Sequence, residues 1–80
     1  MLRMNDIRST LAGMGFEQDK GPSCNVYRSR HCEIRITSQS LHMLGSGTST
    51  HMDINSIRLI RQEGQMIRII VRGGHHSALL

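Results

Sequence analysis

Ile57-Arg58-Leu59-Ile60-Arg61-Gln62-Glu63-Gly64-Gln65-Met66-Ile67-Arg68-Ile69-Ile70-Val71-Arg72 consists of two isoleucine-rich runs flanking Glu63-Gly64. That pair suits the positive-φ positions of a tight turn, so the stretch reads as a β-hairpin. Centring the turn on Glu63-Gly64 sets Ile60 opposite Ile67, Arg61 opposite Met66 and Leu59 opposite Arg68. Side chains alternate along a strand, so the hairpin sorts into two faces. One holds Ile60, Ile67, Ile69 and Val71, with Arg58 and two glutamines toward its ends, and reads as a core wall. The other holds Arg61, Arg68 and Arg72 among Ile57, Leu59, Met66 and Ile70, and is both basic and apolar. A competing reading makes 53–62 a helix capped by Asp53, with Ile54, Ile57 and Ile60 as its stripe. The isoleucine density and the Glu-Gly turn favour strands.

Working outward, the segment 51–56 leads into this hairpin, preceded by Gly45-Ser46-Gly47-Thr48-Ser49-Thr50, a flexible loop by composition. Leu41-His42-Met43-Leu44 is a short apolar patch, read as an edge strand or one helical turn. Residues 24–28 and 32–38 form two further strands, joined by a three-residue turn at Ser29-Arg30-His31. This register sets Val26 against Ile34 and Cys24 against Ile36, and sends Tyr27, Glu33, Arg35 and Thr37 outward. A slip of one residue puts Tyr27 against Ile34 instead, and turn chemistry alone does not exclude it.

At the other end, Asn5-Asp6 reads as a helix start, with a capping side chain and then an acid in the first turn. Met4, Ile7, Leu11 and Met14 recur at three-and-four spacing, which predicts a helix over 5–14. Gly15 suits the left-handed position after it, and Phe16 is placed to close the ending by apolar contact. Residues 17–23 are a polar connector, and Gly73-Gly74 predicts a frayed tail over 73–80. The expected fold is therefore α+β: one N-terminal helix on a four-stranded antiparallel sheet, in the order α-β-β-β-β. A single domain spans 1–72, followed by the flexible tail.

The chain has 80 residues, a net charge of +4 and one Tyr, one Phe and no Trp, so aliphatic residues and six Met must fill its core. A chain this short is near the lower limit for folding without metal or disulfides, and dimerisation would help it. Nine of its ten basic residues are Arg, whose planar fork suits phosphate and carboxylate partners. No apolar run reaches membrane-spanning length, and the first residues lack a signal-peptide core. The expected setting is cytoplasmic, with Cys24 and Cys32 reduced.

Motifs that carry chemistry are missing. There is no nucleophile elbow, no phosphate-cradling glycine loop and no HExxH. His31, Glu33, His42 and Asp53 assemble into a triad only on paper. Cys24 and Cys32 lack the spacing of a zinc site, and neighbouring His75 and His76 would at most scavenge metal weakly. The reading is no catalytic residue, no structural metal and no cofactor.

Met14-Gly15-Phe16, Lys20-Gly21, Val26-Tyr27-Arg28 and Ile34-Arg35-Ile36-Thr37 together resemble the first half of HicA-type RNA-cleaving toxins. The resemblance implies an α-β-β start. The position of that family's catalytic His falls in Ser23-Cys24-Asn25, which contains none, and an isoleucine-rich hairpin replaces its closing helix. No activity is carried over.

What stands is the arginine face, with Tyr27, Arg35, Leu59, Arg61, Met66, Arg68 and Arg72 as expected partner-binding residues. Arg mixed with exposed apolar groups is the composition of protein interfaces. The expected function is a non-catalytic inhibitor that blocks a surface of a host protein or nucleoprotein complex. Phage anti-CRISPR proteins share its size and economy. The alternatives are a nucleic-acid binder using Arg35, Arg61, Arg68 and Arg72 on phosphates, an RNA-cleaving toxin, or a homodimer that covers the face.

Overall fold

The computed structural model describes residues 2–19 and 25–80. Helix α1 (Met4–Gly13) is followed by strands β1 (Glu17–Gln18), β2 (Val26–Arg28), β3 (Cys32–Ile36), β4 (Ser40–Gly45) and β5 (Thr48–Asp53). A 3₁₀ turn (Ile54–Ser56) then leads to β6 (Ile57–Glu63), β7 (Met66–Val71) and β8 (Gly74–Leu79). The strands pair antiparallel in sequence order, forming one five-stranded sheet (β1–β5) and one three-stranded sheet (β6–β8). The α+β class and the N-terminal helix stand, whereas the single four-stranded sheet is replaced by two sheets.

Helix α1 begins slightly earlier than Asn5 suggested. Arg3 occupies the capping position, and its backbone N–H donates to Asp6 Oδ2 at 3.2 Å. An acid at the third helical position thus satisfies an amide that the helix cannot. The ending follows the expected pattern. Gly15 has φ +93°, its N–H reaches Ala12 O at 3.0 Å, and Phe16 N–H reaches Leu11 O at 3.1 Å. Phe16 is buried beside the fully buried Ile7 and Leu11.

The additional strands arise where the sequence reads as connector, loop and tail; the first two connector residues, Glu17 and Gln18, pair with Arg28 and Tyr27 as β1. Ser46 and Gly47 both have positive φ, 53° and 75°, the pattern of a type I′ turn whose twist matches a hairpin. The segment 45–50 is therefore a tight connection into an edge strand. Leu41-His42-Met43-Leu44 becomes central strand β4, paired on both sides. The expected tail becomes β8. Gly73 turns the chain back at φ +84°, and Ala78 is buried, its Cβ 3.5 Å from where a Cβ on Gly45 would sit. The helix weighed for 53–62 shrinks to the single 3₁₀ turn, with Asp53 accepting from Asn55 N–H at 2.9 Å.

Two registers differ from expectation, with opposite consequences. In β2–β3 the turn contracts to Arg30-His31, as Ser29 N–H bonds Cys32 O at 2.8 Å. Tyr27 then pairs with Ile34 and Val26 with Arg35, the one-residue slip that exchanges faces. Tyr27 is therefore core, only 2% exposed, and cannot belong to the outer surface. Its hydroxyl accepts from Arg8 Nη1 at 3.0 Å, which meets the demand of a buried phenol. The Cys24 pairing expected beside it lies outside the described residues.

In β6–β7 the turn is Gly64-Gln65, with φ +61° at Gly64, so Ile60 faces Ile69 and Arg61 faces Arg68. The pairing moves by an even step, which leaves every side chain on its expected face. Ile57 and Arg58 are the exceptions: at a bulge between Ile57 and Leu59, Ile57 turns inward and is fully buried, while Arg58, expected on the core face, is exposed. Ile60, Ile67 and Ile69 are buried as expected and Val71 is partly buried. The inner faces of both sheets and the stripe of α1 form one continuous core.

Candidate interaction surface

Strands β6, β7 and β8 align their outward residues in cross-strand rows. Leu59, Ile70 and His75 form one row, Arg61, Arg68 and Ser77 the next, and Glu63, Met66 and Leu79 the third. Leu59 is 42% exposed and Met66 37%, the exposed large hydrophobic residues among those described. Both lie on this wall, with half-buried Ile70 beside Leu59.

Arg61 and Arg68 sit directly opposite one another, a placement that costs energy through like-charge repulsion. Glu63 relieves it. Arg61 donates to Glu63 Oε2 at 2.5 Å, and Arg68 Nε lies 3.3 Å from Oε1. One carboxylate thus bridges two guanidinium groups and leaves a local charge of +1 from three ionised groups.

Four of the expected partner-binding residues, Leu59, Arg61, Met66 and Arg68, are brought together here. The other three are elsewhere. Tyr27 is in the core. Arg72 lies in the β7–β8 turn, at the margin of the wall. Arg35 is on the outer wall of the five-stranded sheet, in a row with Val26, His42 and His51. That wall is mostly polar, with half-buried Leu44 beside Glu33, and Glu33 accepts from Arg35 at 2.6 Å and from Arg28 at 3.0 Å. The Arg35 hydrogen bond chiefly, with that of Arg28, holds the Glu33 carboxyl below the usual carboxylate range. Burial, then the neighbouring His51 and Arg35, holds the His42 imidazole below its ordinary range.

The paper triad does not assemble. His31 is in the β2–β3 turn, Glu33 is committed to two arginines, and Asp53 caps the 3₁₀ turn. His42 Nε2 lies 2.5 Å from Ser49 Oγ, on an open sheet face. Cys32 is a buried free thiol whose pKa is pushed up to about 11, by burial first and the Glu33 charge second, which makes it a poor nucleophile. Among the described residues no group of three or more His, Cys, Asp or Glu is arranged to hold a metal ion, and no helix is long and apolar enough to cross a membrane.

Sequence reasoning overlooked Glu63 as more than a turn residue. Its position two residues after Arg61 on one strand was the available signal, since such residues share a face. Around the β6–β7 turn, a hollow of about 330 Å³ bounded by Met14, Arg30, Gln65 and Leu80 continues the wall toward the helix end. No family model matches the chain, and no curated protein or solved structure is significantly similar to it.

Proposed function

We propose that this protein is a non-catalytic, stoichiometric inhibitor that acts in the cytoplasm by covering a surface of a protein or nucleoprotein complex, as phage anti-CRISPR proteins do. The observation that carries the reading is the exposure of Leu59 and Met66 on the same wall as the prearranged Arg61 and Arg68. Fixing both arginines on Glu63 lowers the entropy lost when they meet a partner. The partner surface that fits has an apolar centre and carboxylates at its rim, within reach of Arg58 and Arg72.

Area sets the scale of such an interface. Three strands about 4.8 Å apart and six residues long present roughly 300 Å², against about 800 Å² per partner in a standard complex. The wall is therefore the centre of a contact whose margin includes the hollow beside Gln65 and the turn at Arg72.

Nucleic-acid binding is the second reading, and Glu63 weighs against it. Phosphate binding draws its affinity from released counterions, and four free arginines would give a log–log salt slope of roughly −3. With Glu63 already holding Arg61 and Arg68, and Arg35 on another wall, this surface supplies a slope nearer about −1. The test is a salt titration of binding to random duplex and single-stranded DNA and RNA, using wild type and Arg61→Ala/Arg68→Ala. Weak binding that disappears near physiological salt is expected. Tight, salt-steep binding lost in the double variant would replace the inhibitor reading with the second one.

A further inference from the structure

The outer wall of the five-stranded sheet carries a feature that the interaction surface leaves unused. His42 on β4 and His51 on β5 are direct cross-strand partners. Their rings stack with centroids 3.8 Å apart and planes 13° from parallel. We propose that His42 and His51 form a two-imidazole site for a divalent first-row cation of the Zn²⁺, Cu²⁺ or Ni²⁺ class, with water in the remaining positions.

Spacing is the first argument. Zinc–nitrogen bonds of about 2.0–2.1 Å at a tetrahedral centre set two ligand nitrogens roughly 3.3 Å apart. The stack holds the two imidazoles side by side on neighbouring strands, centroids 3.8 Å apart, so both rings are within reach of one ion. Imidazole lone pairs lie in the ring plane, so the rings must turn out of the stack until the lone pairs converge. His51 is exposed on edge strand β5 and is free to make that rotation. The backbone does not have to move, because the sheet register has already placed the two side chains opposite each other.

Chemistry is the second. Neutral imidazole is a good ligand for borderline cations and a poor one for Mg²⁺ or Ca²⁺, which take oxygen. Ser49, two residues before His51 on the same face, already lies 2.5 Å from His42 Nε2, and its hydroxyl is placed to bond a metal-bound water once that nitrogen is taken. Arg35 is the neighbouring cation in the row and opposes a bound ion, but Glu33 holds its guanidinium at 2.6 Å. The other histidines offer no such pair. His75 and His76 are sequence neighbours on β8 and project to opposite faces, in register with Ile70 and Ile69.

The test is calorimetric titration of the full chain with Zn²⁺ at pH 7.5 in a non-coordinating buffer, alongside ¹⁵N spectra of the imidazole nitrogens. One ion per chain is expected, with the largest shifts at His42 and His51. His42→Gln and His51→Gln should each weaken binding at least roughly tenfold, and His75→Gln/His76→Gln should leave it unchanged. Absence of saturable binding, or binding that persists in His42→Gln/His51→Gln, overturns the site. So does loss of binding in the His75/His76 variant. Should a glutamine variant unfold, the wild-type imidazole shifts decide: none at His42 and His51 on adding Zn²⁺ overturns the site equally.

Discussion

The two outer walls of this molecule carry the same charge device. On the five-stranded sheet, Glu33 sits between Arg35, two residues along its own strand, and Arg28 across from it. On the three-stranded sheet, Glu63 sits between Arg61, two residues along its own strand, and Arg68 on the neighbouring one. Arginine therefore does not distinguish the walls. What differs is the company it keeps: the cluster on the five-stranded sheet has half-buried Val26 and Leu44 and a histidine pair beside it, whereas Arg61 and Arg68 lie between rows containing the exposed Leu59 and Met66 as well as Ile70. An Arg–Glu–Arg cluster on a polar wall is a solvated ion pair worth little. The same cluster beside exposed aliphatic groups is the composition of an interface. The lesson is that exposed apolar area, more than charge, locates the candidate surface.

The largest expected effect tests what the walls share. Both back onto one core, so Ile67→Asp and Ile34→Asp should each cost about 4 kcal/mol or more, since each buries an unpaired carboxylate at a fully buried site. Thermal unfolding measures it, and a variant with an unchanged midpoint would remove its sheet from the common core.

A smaller effect measures the polar contact that the buried Tyr27 makes with α1. Tyr27→Phe keeps the ring and deletes the acceptor for Arg8, which should cost about 1–2 kcal/mol by denaturant titration. Neutrality would mean that the Arg8–Tyr27 hydrogen bond contributes nothing to stability.

The smallest effect concerns charge on the five-stranded wall, followed in chelator-treated protein. Glu33 has a lowered folded pKa, so its stabilisation is present above the ordinary carboxylate value of 4.5 and fades as pH falls through the folded value. His42 is also lowered, so stability is lost as pH drops from 6.5 through its folded value, where the unfolded chain takes up the proton more readily. Glu33→Gln should flatten the lower window and His42→Gln the upper one, each by under about 1 kcal/mol. A stability curve unchanged in both would mean that these contacts do not persist in solution.

Much of this architecture was legible in the residues, for reasons that also explain the errors. The α1 stripe and the Gly15-Phe16 ending were readable because helix periodicity and a left-handed glycine are local signals. The hairpin faces survived a wrong turn position, since the actual pairing differs by an even step. The β2–β3 turn erred by one, and Tyr27 changed sides. Strands β1, β5 and β8 were missed because Glu-Gln-Asp, Gly-Ser-Gly-Thr and Gly-Gly-His-His read as connector, loop and tail. Composition does not show that Ser46-Gly47 and Arg72-Gly73 are turns between paired strands. Leu59, Arg61, Met66 and Arg68 were legible as a patch from alternation alone. Glu63 and the His42–His51 pair required the register.

In the reading proposed above, the β6–β8 wall binds a protein surface through its aliphatic groups. The most direct measurement is capture from a native extract by immobilised wild type, Leu59→Asp/Met66→Asp and Arg28→Ala/Arg35→Ala, with folding of each verified by circular dichroism. Both substituted sites are exposed, so stability should stay within about 0.5 kcal/mol per substitution. A stoichiometric protein partner is expected to be held by the wild type and by the Arg28/Arg35 variant, and released by Leu59→Asp/Met66→Asp. Equal capture by all three, or loss only in the Arg28/Arg35 variant, would contradict it.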